Sequence, residues 1–421
     1  MITELSALPP RVLVLAGAHS YRLEAFLAAA QALGVDVVRG LDVPPAHVSA
    51  GESIVRLDFR DPARVVRQVQ KLSAGRPFAA IVPTDDATVL LAAHLGAALG
   101  LRHNAVSAAE AARDKHQMRQ LLRAAGQRVP PFRLFQADQP FDEVAAAVAA
   151  EIGYPCVVKP TCLSGSRGVI RADTPAALAA AFARVAALLR PLRQTDILIE
   201  GFIPGREYAL EGLLSAGRLQ VLALFDKPDP LDGPFFEETI YVTPSRAAAA
   251  TQAALAECVA AAAAALGLRE GAVHGEARVN DHGAWLLEVA GRSIGGLCGQ
   301  TLRFTHSAEV TLEELILRQA LGWPLDEADR ERQAGGVLMI PIPAAGTLLG
   351  VTGEDAARAV PGVETVEITA KVNYPLVPLP EGESYLGFII ARAATSEAVE
   401  AALRQAHLAL RFTVEPALAT V

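Results

Sequence analysis

Two carboxylates between His274 and Arg292, in the stretch HGEARVNDHGAWLLEVAGR, are spaced as ligands for a hard cation would be. The stretch reads as two short strands joined by the polar turn Asn280-Asp281-His282-Gly283. Period-two alternation puts His274, Glu276 and Arg278 on one face of the first strand, and Glu288, Ala290 and Arg292 on one face of the second. Paired as a hairpin, Glu276 and Glu288 face each other. Leu286, Leu287 and Val289 are apolar neighbours of Glu288, so an uncompensated charge there would cost several kcal/mol. Mg2+ is a natural compensation, because it accepts two carboxylate oxygens and keeps positions for phosphate and water. A solvated hairpin with Glu–Arg pairs across its strands would use the same residues.

Upstream segments suit a polyphosphate. Cys156-Val157-Val158-Lys159-Pro160 is an apolar strand ending in a lysine, and Ser164-Gly165-Ser166-Arg167-Gly168-Val169 follows at once. Lysine offers phosphate a point charge, while a Gly/Ser turn lets backbone N–H groups approach closely. The loop lacks the GxxxxGK[ST] order of a Walker A site, and a plain hairpin turn is the simpler alternative. In Ile197–Tyr208 one strand ends at Glu200 and another begins at Glu207. The bend between them exposes backbone, at Phe202 and Ile203, that can meet an adenine edge, and a carboxylate beside it can take ribose hydroxyls.

These residues need a large scaffold. At 421 residues the chain is too long for one ordinary core, and 52% apolar residues make burial ample. A net charge of −8, from 38 Lys+Arg against 46 Asp+Glu, argues against a nucleic-acid or anionic-membrane surface. Cys156, Cys162, Cys258 and Cys298 form no CxxC pair, which suits reduced cytoplasmic thiols. The apolar run Val12–Ala18 ends like a signal-peptide cleavage site. Glu4 and Pro9-Pro10 precede it, however, and an amphipathic helix follows, so a buried first strand fits better. No segment is an uninterrupted apolar span; the nearest approach, Ala87–Leu101, carries His94.

Strands at 12–18, 35–38 and 78–84 alternate with helices, Gly34 stopping the first helix, and predict a parallel sheet. Asp85-Asp86 at the strand end could touch a ligand, although a helix N-cap with an acidic first turn is the plainer role. Pro130-Pro131 breaks the chain, a second alternating region spans about 132–330, and strands at 336–342, 363–370 and 385–393 with a helix near 396–409 suggest a small α+β domain.

In this order the pieces resemble the ATP-grasp superfamily. Asp114-Lys115 with Met118-Arg119 is similar to its early lysine motif, Lys159 with Ser164 and Ser166 to its phosphate-covering hairpin, 200–207 to its adenine and ribose hinge, and Glu276, Glu288 and Arg292 to its metal carboxylates and following arginine. The resemblance covers nearly the whole chain. It implies an α/β ATP-grasp fold: a parallel α/β N-terminal domain (1–106), a two-part nucleotide clamp (107–332) and a small α+β C-terminal domain (333–421). Within the superfamily the chain looks most like L-amino-acid ligases; Val360-Pro361-Gly362-Val363 and Tyr385-Leu386-Gly387-Phe388 resemble the C-terminal domain those ligases share with carboxylases.

The resemblance implies ATP and Mg2+, with Mn2+ as a substitute, and small carboxylate and amine partners, amino acids foremost. It allows a homodimer. A carboxylate would attack the γ-phosphate of ATP, and an amine would then attack the acyl phosphate. Lys115, Lys159 and Lys227 would serve the phosphates, Glu276 and Glu288 the metal, and Arg292 the substrate carboxylate and later the oxyanion. Glu237 or Glu238 could hold a substrate ammonium on a mobile loop, although solvated loop charges are the plainer account. His274 would touch substrate or be a core histidine, and Gly295 and Gly296 would offer N–H groups to the carboxylate or simply pack behind the sheet. One departure stands out: the usual Glu-x-Asn-x-Arg is Glu288-Val289-Ala290-Gly291-Arg292, with alanine in place of the amide. Two rivals follow, a biotin-carboxylase-like subunit, for which the chain carries no Met-Lys attachment site, and a nucleotide-binding protein without turnover.

Overall fold

The computed structural model describes residues 8–17, 20–43, 53–305, 309–325 and 329–416; Glu4 and Ala18 of the N-terminal reading lie outside them. Arg11–Ala16 is buried strand, central in a parallel sheet ordered Ile54–Arg56, Asp36–Leu41, Arg11–Ala16, Ala80–Pro83. Gly34 ends the helix Leu23–Leu33 at φ +65°, a left-handed position that glycine takes without strain. Asp85 is the N-cap of the helix Asp86–Leu99, its backbone N–H donating to Thr88 Oγ1 at 3.3 Å.

After the proline pair, Phe132–Gln136, Asp196–Gly201, Cys156–Pro160 and Ile170–Ala172 form a four-stranded antiparallel sheet in that order. Helices Phe141–Glu151 and Pro175–Leu189 cover it, burying Val144, Val148, Leu178, Phe182 and Val185. The helices Pro175–Leu192 and Ala249–Leu266 are apolar and long enough to cross a membrane by composition alone. Each nevertheless turns a buried face to a protein core, as Leu255, Val259, Ala262 and Ala263 do in the second.

In the second half of the clamp one sheet runs across the expected boundary at 332/333. One eight-stranded antiparallel sheet runs Gly283–Ala290, Gly271–Asn280, Arg206–Ser215, Arg218–Asp226, Ile240–Thr243, Ala334–Ile340, Gly387–Ala393, Val363–Ile368. Ile240 pairs with Leu338 and Thr243 with Gly335, so the C-terminal strands extend the catalytic sheet. Composition changes at Gln333–Gly336, which drew the boundary there, but the backbone ladder does not break. A strand missed in the sequence, Gly346–Thr352, forms a separate small sheet with Pro375–Leu376 and Arg411–Pro416, and the helix Ser396–Ala409 backs the large one.

Candidate active site

A cavity of about 980 Å3 lies where the N-terminal sheet, the small antiparallel sheet and the eight-stranded sheet meet. On one side the Ser/Gly loop closes it. Gly165, Ser166 and Gly168 take left-handed φ of +61°, +56° and +74°, and a Cβ on Gly168 would come within 2.9 Å of Pro160 and Leu188. Ser164, Gly165 and Ser166 line the cavity with Lys159 and Lys115. The loop is anchored to the C-terminal region, where Gly168 N–H donates to Pro380 O at 2.8 Å and Arg167 Nε to Glu381 O at 3.0 Å.

Below the loop the strand geometry corrects one expectation. Glu200 is not an open ribose acceptor: Oε2 accepts from Arg119 Nε at 2.7 Å, and Oε1 accepts from Arg119 Nη2 at 3.1 Å and from Lys159 Nζ at 2.5 Å. Burial pushes the Lys159 ammonium down to about 8 despite Glu200. Against its own burial, Glu200 is brought to about 2 by Arg119 and then Lys159. The hinge that follows carries Phe202 and Ile203 into the cavity wall, with Phe202 stacked on Phe236 at 6.3 Å between centroids.

Across the cavity stands the hairpin. Glu276 is opposite Glu288 in register, and a bulge follows Glu276. Their partners nevertheless differ. Glu276 Oε1 accepts from Lys227 Nζ at 2.9 Å, Tyr241 Oη at 3.2 Å and the His274 Nε2 side at 3.3 Å, whereas Glu288 Oε2 lies 3.1 Å from Lys115 Nζ. Lys227, placed on phosphate by the sequence, is the hub of the acids: it also donates to Glu207 at 2.7 Å and Glu238 at 2.8 Å. Glu207, Glu238 and Glu276 offer oxygens within 4.8 Å of one another. Burial raises Glu238 to about 7, while Lys227 is raised, against its burial, by these three carboxylates. Glu207 gives its other oxygen to Arg278 Nε at 2.9 Å, so it too is committed. Glu237 does not line the cavity; it faces the Ile342 backbone, because neighbouring residues in this extended segment point to opposite sides.

At the far end, Arg292 is gripped by Asp86, Nε to Oδ1 at 2.8 Å and Nη2 to Oδ2 at 2.7 Å. The alternative reading, a pairing of Arg292 with Glu288 across the hairpin, gives way to a pairing with the N-terminal region. Asp86 is lowered, its burial being outweighed by Arg292. Gly295 and Gly296 line the same end, but Gly296 N–H already donates to Tyr21 Oη at 3.0 Å. His274 is buried between Glu276 and Glu211, whose Oε2 lies 3.7 Å from Nδ1 and accepts from Ile294 N–H at 2.9 Å. Arg22 Nη1 ties Thr84 O to Ser293 O at 2.8 and 2.9 Å. Arg22 and Glu211 were missed in the sequence, and Asp86 and Arg119 were given no role in the site. They come from distant strands and helices, and only Arg119, beside the Lys115 motif, and Asp86, at a strand end, stood near a visible signal.

Residues 152–301 match the ATP-grasp domain, 27–103 the ATP-grasp N-terminal domain, and 338–415 the L-amino acid ligase C-terminal domain 2. The two ATP-grasp matches together span more than half of the chain. The chain belongs to the ATP-grasp superfamily. The fold of this ATP-grasp protein is that of the L-amino acid ligase from Bacillus licheniformis, with a TM-score of 0.81 at 24% identity over 97% of this chain and all of that one. Alanine–anticapsin ligase of Bacillus subtilis is 25% identical over 332 residues, 70% of this chain and 69% of that protein. The uncharacterized protein y4rH of Sinorhizobium fredii is 26% identical over 315 residues, 72% of this chain and 61% of that protein. Against this background the ATP-grasp cavity fits its nucleotide and metal chemically: lysines lie under the loop, and three carboxylates share one ammonium opposite.

Proposed function

We propose that this chain is an ATP- and Mg2+-dependent carboxylate–amine ligase that joins an amino acid to a second amine and releases ADP and phosphate. The observation that carries this reading is one cavity with a lysine wall, an acidic wall and, at its far end, Arg292 held by Asp86. The names of the relatives and the C-terminal match support ligation over biotin carboxylation.

Lys159, Lys115 and the Ser/Gly loop hold the phosphates. Phe202 C=O and Ile203 N–H meet the adenine edge, since Phe202 N–H already donates to Pro155 O and Ile203 O accepts from Arg278. Glu276 and Glu288 hold Mg2+, which when bound neutralises triphosphate charge. Arg292, fixed by Asp86, receives the substrate carboxylate and positions its oxygen for attack on the γ-phosphorus. The bond to the β–γ bridging oxygen breaks and ADP leaves. The amine nitrogen then attacks the acyl carbon and gives up a proton to solvent, Arg292 stabilises the tetrahedral oxyanion, and the acyl C–O bond breaks with its electron pair leaving on phosphate. Glu238 holds the ammonium of one substrate. Four free thiols suit a reducing cytoplasm.

Chromatography of reactions containing ATP, Mg2+ and pairs of amino acids tests the proposal. ADP and phosphate should accumulate in step with an amide product. AMP, or ADP release that ignores both amino acids, would sink it.

A further inference from the structure

The buried cations beneath the phosphate loop carry an internal charge count. Arg119 lies on the helix Lys115–Ala124, one turn beyond Lys115, and its side chain is fully buried. It takes both oxygens of Glu200, and its Nη2 also donates to Leu287 O in the hairpin at 3.0 Å. Its Nη1 is buried without a partner. Lys159 Nζ meets the same carboxylate. Two cations therefore share one anion, and the group of three retains one positive charge facing the cavity through Lys159. Without Arg119, Glu200 and Lys159 would form a one-to-one pair with no net charge to offer. Packing alone does not call for an arginine here, since a buried ion pair replaced by apolar groups of similar volume is often no less stable.

We propose that Arg119 is a positioning residue for nucleotide binding, which offsets the Glu200 carboxylate so that the Lys159 charge stays available to phosphate. This rests on the reading of Lys159 as a phosphate ligand. Arg119 never touches nucleotide; it acts through Glu200, which also fixes where the Lys159 ammonium sits.

A charge-compensation cycle tests it, with ADP as the calorimetric probe so that turnover plays no part. Arg119→Met should weaken ADP binding by about ten-fold or more, the worth of one charge-assisted phosphate contact. Arg119→Met/Glu200→Gln removes one charge of each sign, restores the net single positive charge, and should return affinity to within about three-fold of the parent, a non-additivity that marks direct coupling. Arg119→Lys should bind more tightly than Arg119→Met. Thermal melting accompanies each variant. If Arg119→Met folds poorly, the double variant and Arg119→Lys still decide the matter. A merely structural Arg119 would leave the double variant as weak as Arg119→Met or weaker, and that result overturns the proposal. Lys159→Met separates the two claims: unchanged ADP affinity there refutes the phosphate reading of Lys159 itself. Weak binding by Lys159→Met beside full-strength binding by Arg119→Met refutes only the inference about Arg119.

Discussion

The two walls of the cavity bury charge in opposite proportions. Under the phosphate loop, Arg119 and Lys159 share the carboxylate of Glu200; on the hairpin side, Glu207, Glu238 and Glu276 share the ammonium of Lys227, with Arg278 on the other oxygen of Glu207, so three acids face two cations. Each cluster is hydrogen-bonded well enough to be buried, yet neither is neutral within itself, and buried groups with uncompensated charge are costly unless a ligand completes them. A surplus cation calls for phosphate, and a surplus carboxylate calls for a metal ion or an ammonium. The difference between the walls is thus a description of the ligands in charge alone: anion on one side, cations on the other, with the reacting atoms between.

The strongest way to break this contrast is to lighten the acidic wall. Glu276→Gln should reduce Mg2+-dependent ADP release by on the order of 10³-fold, because metal neutralisation supplies several kcal/mol to phosphoryl transfer. Titrating Mg2+ against rate checks it. An unchanged rate would mean that the acids serve only Lys227. Arg292→Ala, beyond both walls, should lower turnover by roughly 10²-fold or more while ADP affinity stays near the parent value, as for other oxyanion donors. Calorimetry beside steady-state rates separates the two effects; equal loss of binding and turnover would move Arg292 into the nucleotide site.

A milder probe is pH. Burial lowers Lys159 to about 8, so its charge is present below that pH and is lost above it. ADP affinity should fall by roughly ten-fold from pH 7 to pH 9, following the charged fraction. Stability of the nucleotide-free protein has the opposite sign in this window. The ordinary lysine value is 10.5, so between about 8 and 10.5 the unfolded chain holds the extra proton, and this group's contribution to stability rises with pH. The parent minus Lys159→Met isolates both slopes. Parallel slopes would show that Lys159 is not the titrating group.

Local pattern made the hairpin legible: alternation around Asn280–Gly283 placed Glu276 opposite Glu288, and the observed register agrees. The N-terminal strands, Gly34 and the Asp85 cap were legible for the same reason, since turn and cap chemistry is carried by residues adjacent in sequence. Which cation answers each acid was not. Lys115 reaches Glu288, Lys227 reaches Glu276 and Asp86 reaches Arg292 across 173, 49 and 206 residues of sequence. Such pairings depend on how helices and sheets dock, and periodicity within one element carries no information about that. Sheet continuity across 332/333 was not legible either: a change in composition marks a turn between strands, while membership of one sheet is fixed by the ladder from Ile240–Thr243 to Ala334–Ile340.

The finest test of the contrast is Ala290. It is buried, paired in register with His274, and lies on the strand between Glu288 and Arg292. A methyl group donates nothing to a metal, so a second ion on the acidic wall would depend on Glu288, phosphate oxygens and water, which Mg2+ tolerates because it keeps several waters. Ala290→Asn adds an amide oxygen on that face. We expect the fold to persist by thermal melting and the Mg2+ concentration for half-maximal rate to fall by a few-fold, on the order of the gain from one further neutral oxygen ligand. Glu288→Gln in the same background should remove the gain, since the ion would then lack the one carboxylate it depends on. An unchanged Mg2+ requirement in a well-folded Ala290→Asn protein would show that no ion comes within reach of this position. The acidic surplus around Lys227 would then answer a substrate ammonium rather than a second metal.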